Sequence, residues 1–418
     1  MEWNAVGLTI LIALLMLWNL DFVATLLNLK ALSPQLPEEF EDVFDAERYA
    51  KSQAYTRDSA RFGIIESIVS LFTLLTFWLI GGFGWLDSLC RSWFESELLA
   101  GLAFLSLLYL GHYLIQLPLS IYSTFGIEER YGFNKTTPGT FTGDQVKSLL
   151  LSAILGLPLA AGLIWIFGNI PNAWLWAWIL FTVVQLLLMW LAPAVILPLF
   201  NKFEPMEDGE LRKEIERMAG KCEFPLAEIS VMDGSTRSTK ANAYFTGFGK
   251  TKKIALYDTL VEEQSKDELV AVLAHEIGHF KCRHIIQRLG VSILQSAVLF
   301  YLLGLIINPE GGFSRMLFDS FGVTTISPYV GLVLFGILFS PVSRLLGVFS
   351  NAWSRKHEFE ADAYAAKAMG TADHLVSALK KLSAKNLSNL TPHPVRVLLD
   401  YSHPPMLQRL KALRSLSS

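Results

Sequence analysis

The chain has 418 residues and a formal charge of −3, from 35 Lys+Arg against 38 Asp+Glu. Only 17% of residues are charged and 52% are apolar, at a mean hydropathy of +0.39, whereas soluble domains carry about 25% charge. The balance excludes a nucleic-acid binder, which needs a basic face, and a disordered chain; Cys90, Cys222 and Cys282 lie too far apart for a disulfide framework or a cysteine zinc site.

Runs long and apolar enough to span a bilayer occur at about 5–27, 63–85, 99–123, 149–170, 174–198, 287–307 and 328–350. The first has Glu2 rather than a basic cluster before it and no small-residue cleavage site after it, so it reads as a retained anchor. Lys and Arg concentrate in segments 28–61, 124–148 and 201–285. Loops 86–98 and 308–326 hold only Arg91 and Arg315, and loop 171–173 holds none. The positive-inside rule then puts the N-terminus outside and both large polar segments, 201–285 and 351–418, in the cytosol. The chain divides into a membrane domain, 1–200, with five spans, and a second domain, 201–418, that carries the last two.

Several spans contain polar groups: Asn19 with Asp21, His112 with Gln116, and Gln185. Asn19 and Asp21 read as interfacial, near a span end. His112 and Gln116 suit either a bundle hydrogen bond or a cavity wall. None of them defines a function.

Segments 227–233, 241–249 and 253–261 alternate and carry Ile, Val, Tyr and Phe, which predicts short strands. Ala241–Thr246 suits an edge strand along which an extended substrate could add, with Asn242 placed to bond substrate or to serve as an ordinary edge asparagine.

The helix predicted over Lys266–Phe280 holds His275, Glu276 and His279 in an HExxH pattern. The histidines fall at i and i+4, on one face, where two imidazoles can bind one Zn²⁺ and leave Glu276 as general base. Chance alone gives such a motif in about one chain in a hundred of this length. A catalytic zinc takes three protein ligands, and Glu358 is the expected third. It lies in a second predicted helix with Asp362 one turn on, and two spans separate it from His279, which returns the chain to the same side. Asp362 would accept the free N–H of a ligating imidazole. Glu360 and His357 are the alternative ligands. The charged ends of the first helix argue against a site deep in a span.

Near the C-terminus, Tyr401–Pro405 precedes a helix over Met406–Leu416. Ser402 or His403 could cap it, or His403 could turn to the metal and stabilise an oxyanion; His393, also before a proline, competes for that role. His284 and His374 read as surface or packing residues.

The chain resembles the type I CAAX prenyl endopeptidases over nearly its full length. The resemblance rests on the seven spans, Arg130–Thr137, Ala241–Gly247, Ala274–Phe280, Glu358–Asp362 and Tyr401–Pro405. It implies a mainly α membrane protein, seven helices around a water-filled chamber, closed by a cytosolic α+β gluzincin-like zinc protease domain. It implies His275, His279 and Glu358 as ligands of one Zn²⁺ per chain and Glu276 as base. It also implies Asp362 behind the ligands, Asn242 and His403 beside substrate and oxyanion, and Arg409 in support. The implied partners are the lipid bilayer and a peptide or protein substrate, with or without a prenyl group, and no nucleic acid. The implied membrane is the endoplasmic reticulum or a bacterial inner membrane, according to source. Alternatives are a broad quality-control zinc protease of the membrane and, weakly, a transporter with structural zinc.

Overall fold

The computed structural model describes residues 4–246 and 252–416. In chain order the helices are α1 (Ala5–Lys30), α2 (Ala46–Leu79), α3 (Gly82–Trp93), α4 (Glu97–Tyr122), α5 (Pro138–Asn169), α6 (Ala173–Leu191), α7 (Leu197–Phe200) and α8 (Glu210–Lys221). They continue with α9 (Asp258–Glu263), α10 (Lys266–Lys281), α11 (His284–Ile306), α12 (Gly312–Ser320), α13 (Pro328–Met369), α14 (Asp373–Lys385), α15 (Pro394–Asp400) and α16 (Met406–Ser415). The strands are β1 (Phe203–Pro205), β2 (Leu226–Met232), β3 (Ala243–Thr246) and β4 (Lys252–Tyr257).

Among the described residues seven helices are long and apolar enough to cross a membrane: α1, α2, α4, α5, α6, α11 and α13, with α4 and α6 prolonged by π-helical turns. An apolar run marks the lipid-facing stretch and not the helix, so several bounds differ from expectation. The second helix begins at Ala46, in polar sequence, and ends at Leu79 because Gly81, at φ 77°, turns the chain. The expected loop 86–98 is largely α3, and most of the expected loop 308–326 is α12 and its flanks. The last span and the expected separate Glu358 helix are one continuous helix, α13.

The spans close a ring, α1–α2–α4–α5–α6–α11–α13: α2 meets the π-helical end of α4, α13 closes against α1, and α13 also touches α4 and α5. At most 22% of any span's apolar window is buried. Helices arranged around one another in a solid bundle would hide one face each; these keep both an outer and an inner face open, as a wall does. One end of the ring is plugged. There α3 and α12 fold across it, and Trp78, Phe83, Phe104, Phe318, Phe321 and Tyr329 share one core.

The other end carries the second core. A sheet in the order β1-β2-β4-β3 pairs β2 with β4 in parallel and the other neighbours antiparallel, which leaves β3 at an edge. The predicted strands at 227–233 and 253–261 correspond to β2 and β4, the latter ending where α9 begins. The predicted strand 241–249 starts later, at Ala243, and its residues 247–249 lie outside the described ones. Ile254, Leu256, Leu269, Leu273, Ile277, Leu379 and Leu410 pack between sheet and helices, so α10 is fixed on several sides.

Candidate active site

The start of α10 is held by a reciprocal cap. The Ser265 amide donates to Glu268 at 2.7 Å, and Ser265 Oγ accepts from the Glu268 amide. Glu268 also accepts from Ser377 and, at 2.8 Å, from Lys381, both on α14. Burial pulls its carboxyl up, but Lys381, Ser377 and Ser265 together outweigh it and hold it below its ordinary value. At the far end of α10, Gly278 lets α13 approach: a Cβ there would lie 3.0 Å from Cα and O of Ala361. This close crossing sets the two histidines of α10 opposite the carboxylates of α13.

The Nε2 atoms of His275 and His279 are 3.2 Å apart. Glu358 reaches them at 3.5 and 3.3 Å through its two oxygens. Tetrahedral ligands about 2.0–2.1 Å from one zinc stand roughly 3.3 Å from each other, so the three donors form a triangle of the right size. The donor chemistry agrees. His275 Nδ1 donates to Asp362 at 2.8 Å, which leaves its Nε2 as a lone pair facing that of His279. Buried Glu358 Oε2 has no hydrogen-bond donor. A cation between these atoms satisfies all of them.

Arg409 from α16 grips Asp362 with two bonds, 2.8 Å from Nε and 2.6 Å from Nη2. A third nitrogen lies 3.5 Å from Glu358. The guanidinium is buried and its fork matches the carboxylate. It therefore locks the acceptor that orients His275. Glu276 sits beside the triangle on the same helix. Burial, the largest influence, raises its carboxyl above the ordinary range, against the opposing pull of His275 and His279.

His403 Nε2 stands 3.5 Å from Glu358 while two-thirds of its side chain remains exposed. It is not a helix cap: Pro405 precedes α16 with no side-chain cap. The capping histidine is His393, whose Nδ1 accepts from the Val395 amide at the start of α15, so it does not compete for the metal. The segment before His403 is clipped to α13. Arg344 and Asn351 donate to the carbonyl of Leu399, and Arg355 to those of Val397 and Tyr401. Asn242 is exposed just before edge strand β3, and its side-chain oxygen accepts from the Ala243 amide.

A cavity of about 700 Å³ is walled by α1, α2, α13 and residues from 386–401, and neither His275 nor His279 lines it. Asp21, Thr25, Tyr55, Arg344 and Tyr401 are among its walls. Asp21 pairs with Arg344, so it is part of this wall and not a simple interfacial residue. Gln116 and Gln185 donate to Ser70 and Ser292 across neighbouring spans.

Sequence reasoning missed His284. It is 1% exposed and its Nδ1 lies 2.9 Å from Nδ1 of His279. No residue spacing announces it, because it reaches back over the two-residue turn Cys282–Arg283.

Comparison with known proteins bears on the whole chain. A family profile described as "CAAX prenyl protease N-terminal, five membrane helices" matches residues 25–202, and one described as "Peptidase family M48" matches 205–417. The chain is 39% identical to "CAAX prenyl protease 1" of Saccharomyces cerevisiae, covering 92% of this chain and 89% of the relative. It is 39% identical to a rice CAAX prenyl protease 1 homolog (92% and 91% covered) and 33% to the human one (96% and 93%). The crystal structure of S. mikatae Ste24p superposes with a TM-score of 0.90 at 37% identity, covering 99% of this chain and all of that one.

Proposed function

The chain belongs to the CAAX prenyl protease type of peptidase family M48, an integral multi-pass membrane metallopeptidase, and we propose that it is a zinc endopeptidase cutting CAAX-type protein C-termini. The observation that carries the zinc reading is the triangle of His275, His279 and Glu358, whose donor spacing suits a tetrahedral ion and whose lone pairs otherwise face one another. We take residues 1–200 as the membrane unit and 201–418 as the peptidase unit; the two profile matches meet between 202 and 205 in support. The active site faces the cytosol in this reading, which the Lys and Arg distribution favours. The acceptor is a protein substrate and not nucleic acid.

Zinc, when bound, supplies Lewis acidity to the scissile carbonyl and to water. Glu276 takes a proton from the attacking water and returns it to the leaving amine; its raised pKa brings it nearer the working pH. His403, exposed toward the site, donates to the oxygen that gains charge. Burial lowers its pKa, so it does so as the neutral imidazole. Asn242 lies just before edge strand β3 and bonds the extended substrate that adds along it. Asp362 and Arg409 hold His275.

Purified full-length protein is tested on matched CAAX peptides, farnesylated and bare. Cleavage of the farnesylated peptide alone, lost in Glu276→Gln, is the expected result. Equal cleavage of both keeps the zinc chemistry but replaces the prenyl-directed reading with a broad membrane quality-control protease. Cleavage by Glu276→Gln at the full rate removes Glu276 as base.

A further inference from the structure

Each histidine of the triangle presents one nitrogen to the centre and must place its other nitrogen somewhere. For His275 the partner is Asp362. For His279 the partner is not a carboxylate but a third imidazole. His279 Nδ1 meets His284 Nδ1 at 2.9 Å, and His284 Nε2 meets Glu360 Oε2 at 2.9 Å. The contact depends on Arg283, whose φ of 57° folds the chain between α10 and α11 so that a residue five positions on can reach back.

Only one proton arrangement satisfies this row. With the lone pair of His279 Nε2 turned to the centre, its proton is on Nδ1 and donates to His284. His284 then accepts at Nδ1, carries its own proton on Nε2 and donates to the Glu360 carboxylate. The opposite tautomer of His284 sets N–H against N–H on one side and a lone pair against a carboxylate on the other. We infer that His284 and Glu360 are positioning residues that fix the tautomer and ring orientation of His279, a second brace matching Asp362 and Arg409 on His275. The inference rests on the reading of His279 as a zinc ligand.

The same histidine, with His357 and Glu360, also groups three donors close together. It does not make a second metal site. Both nitrogens of His284 are already engaged, and His357 stacks on it at 3.8 Å with planes 8° apart. Lone pairs in two parallel, stacked rings run side by side, so one ion cannot lie in both ring planes. His357 with Trp353 beyond it acts instead as a wall that keeps the His284 ring upright.

The test uses the full chain in detergent, loaded with zinc alone, and reads the rate of zinc transfer to a chelator, zinc per chain and thermal melting, together with kcat and KM. His284→Phe keeps a flat ring without its bonds, and zinc affinity is expected to fall about 10- to 100-fold. His284→Asn puts an amide oxygen where Nδ1 stands, so it keeps the acceptor for His279 without the bond to Glu360, and it is expected to stay within a few-fold of the parent. Glu360→Gln falls between them. Rescue by the amide, with melting unchanged in all three, separates a brace from a packing role. If His284→Phe does not fold, Glu360→Gln against His284→Asn carries the same comparison. Zinc affinity in His284→Phe within twofold of the parent, while His279→Ala loses zinc, overturns the brace alone. Zinc retained in His279→Ala overturns the ligand reading and the brace with it. Two zinc ions per chain, one lost in both His284→Phe and His357→Phe, overturns the brace in favour of a metal site.

Discussion

At one end of the span ring Trp78 stacks on Phe321 at 4.2 Å and Phe104 packs on Tyr329; at the other, Arg409, Asp362, His275 and Glu358 are also buried. The first end is closed by aromatic area. Its polar groups are few: the Trp78 indole donates to the carbonyl of Ser320 at 2.8 Å, and one buried carboxylate, Asp87, accepts from Tyr329 and Arg91. The second buries a whole cluster of charged groups around His275, and each costs several kcal/mol to desolvate. The difference shows what each end is for. A plug needs mainly to fill space, so dispersion and burial do most of it, with the single carboxylate of Asp87 held by Arg91 and Tyr329. A site that must hold a cation and move a proton needs charges, and these persist only because each is held by another.

Four changes probe that contrast, in descending size. Glu276→Gln is expected to lower kcat by about 10²- to 10⁴-fold with zinc retained, measured by single-turnover cleavage and metal content. The plug has no residue whose removal does this. Arg409→Met leaves Asp362 buried with only His275 as partner and is expected to cost about 3–5 kcal/mol, read as a lower melting temperature with loss of zinc. Trp78→Phe at the plug removes one buried bond and part of a ring. The expected cost is about 1–3 kcal/mol in melting, with kcat and zinc affinity unchanged. A fall in kcat there would erase the distinction between the two ends.

The smallest effect concerns pH. The folded pKa of Glu268 is depressed, so its contribution is fully present above the unfolded value near ~4.3 and is lost as pH falls through the lower folded value. The stability gap between the parent and Glu268→Gln is therefore expected to be widest near neutrality and to narrow below about pH 4. A gap that widens on acidification contradicts the role given to Lys381 and Ser377.

The sequence carries unequal information about these parts. The spans and the HExxH helix are legible because their signals are local: a long apolar run, and two histidines one turn apart. Glu358 and Asp362 repeat that spacing, and parity of spans puts them on the side of the histidines. The amphipathic helices α3 and α12 are not legible as a plug, because short helices between spans look like loops until their apolar faces meet. Asp21 looks interfacial until Arg344, from the other end of the chain, lies beside it. Glu360 is out of phase with Glu358 and Asp362, so its helix alone makes it no more than an alternative ligand. Only the backbone turn at Arg283 delivers the partner that gives it a task.

By itself the sequence determined which atoms can do the chemistry and which segments must leave water, since residue type and period fix both. The tertiary structure decided how near those atoms come. The approach at Gly278, the clipping of Leu399 and Tyr401 to α13, and the row from His279 to Glu360 all join residues from separate elements. Such contacts follow from packing a whole chain at once, and no window of sequence contains them.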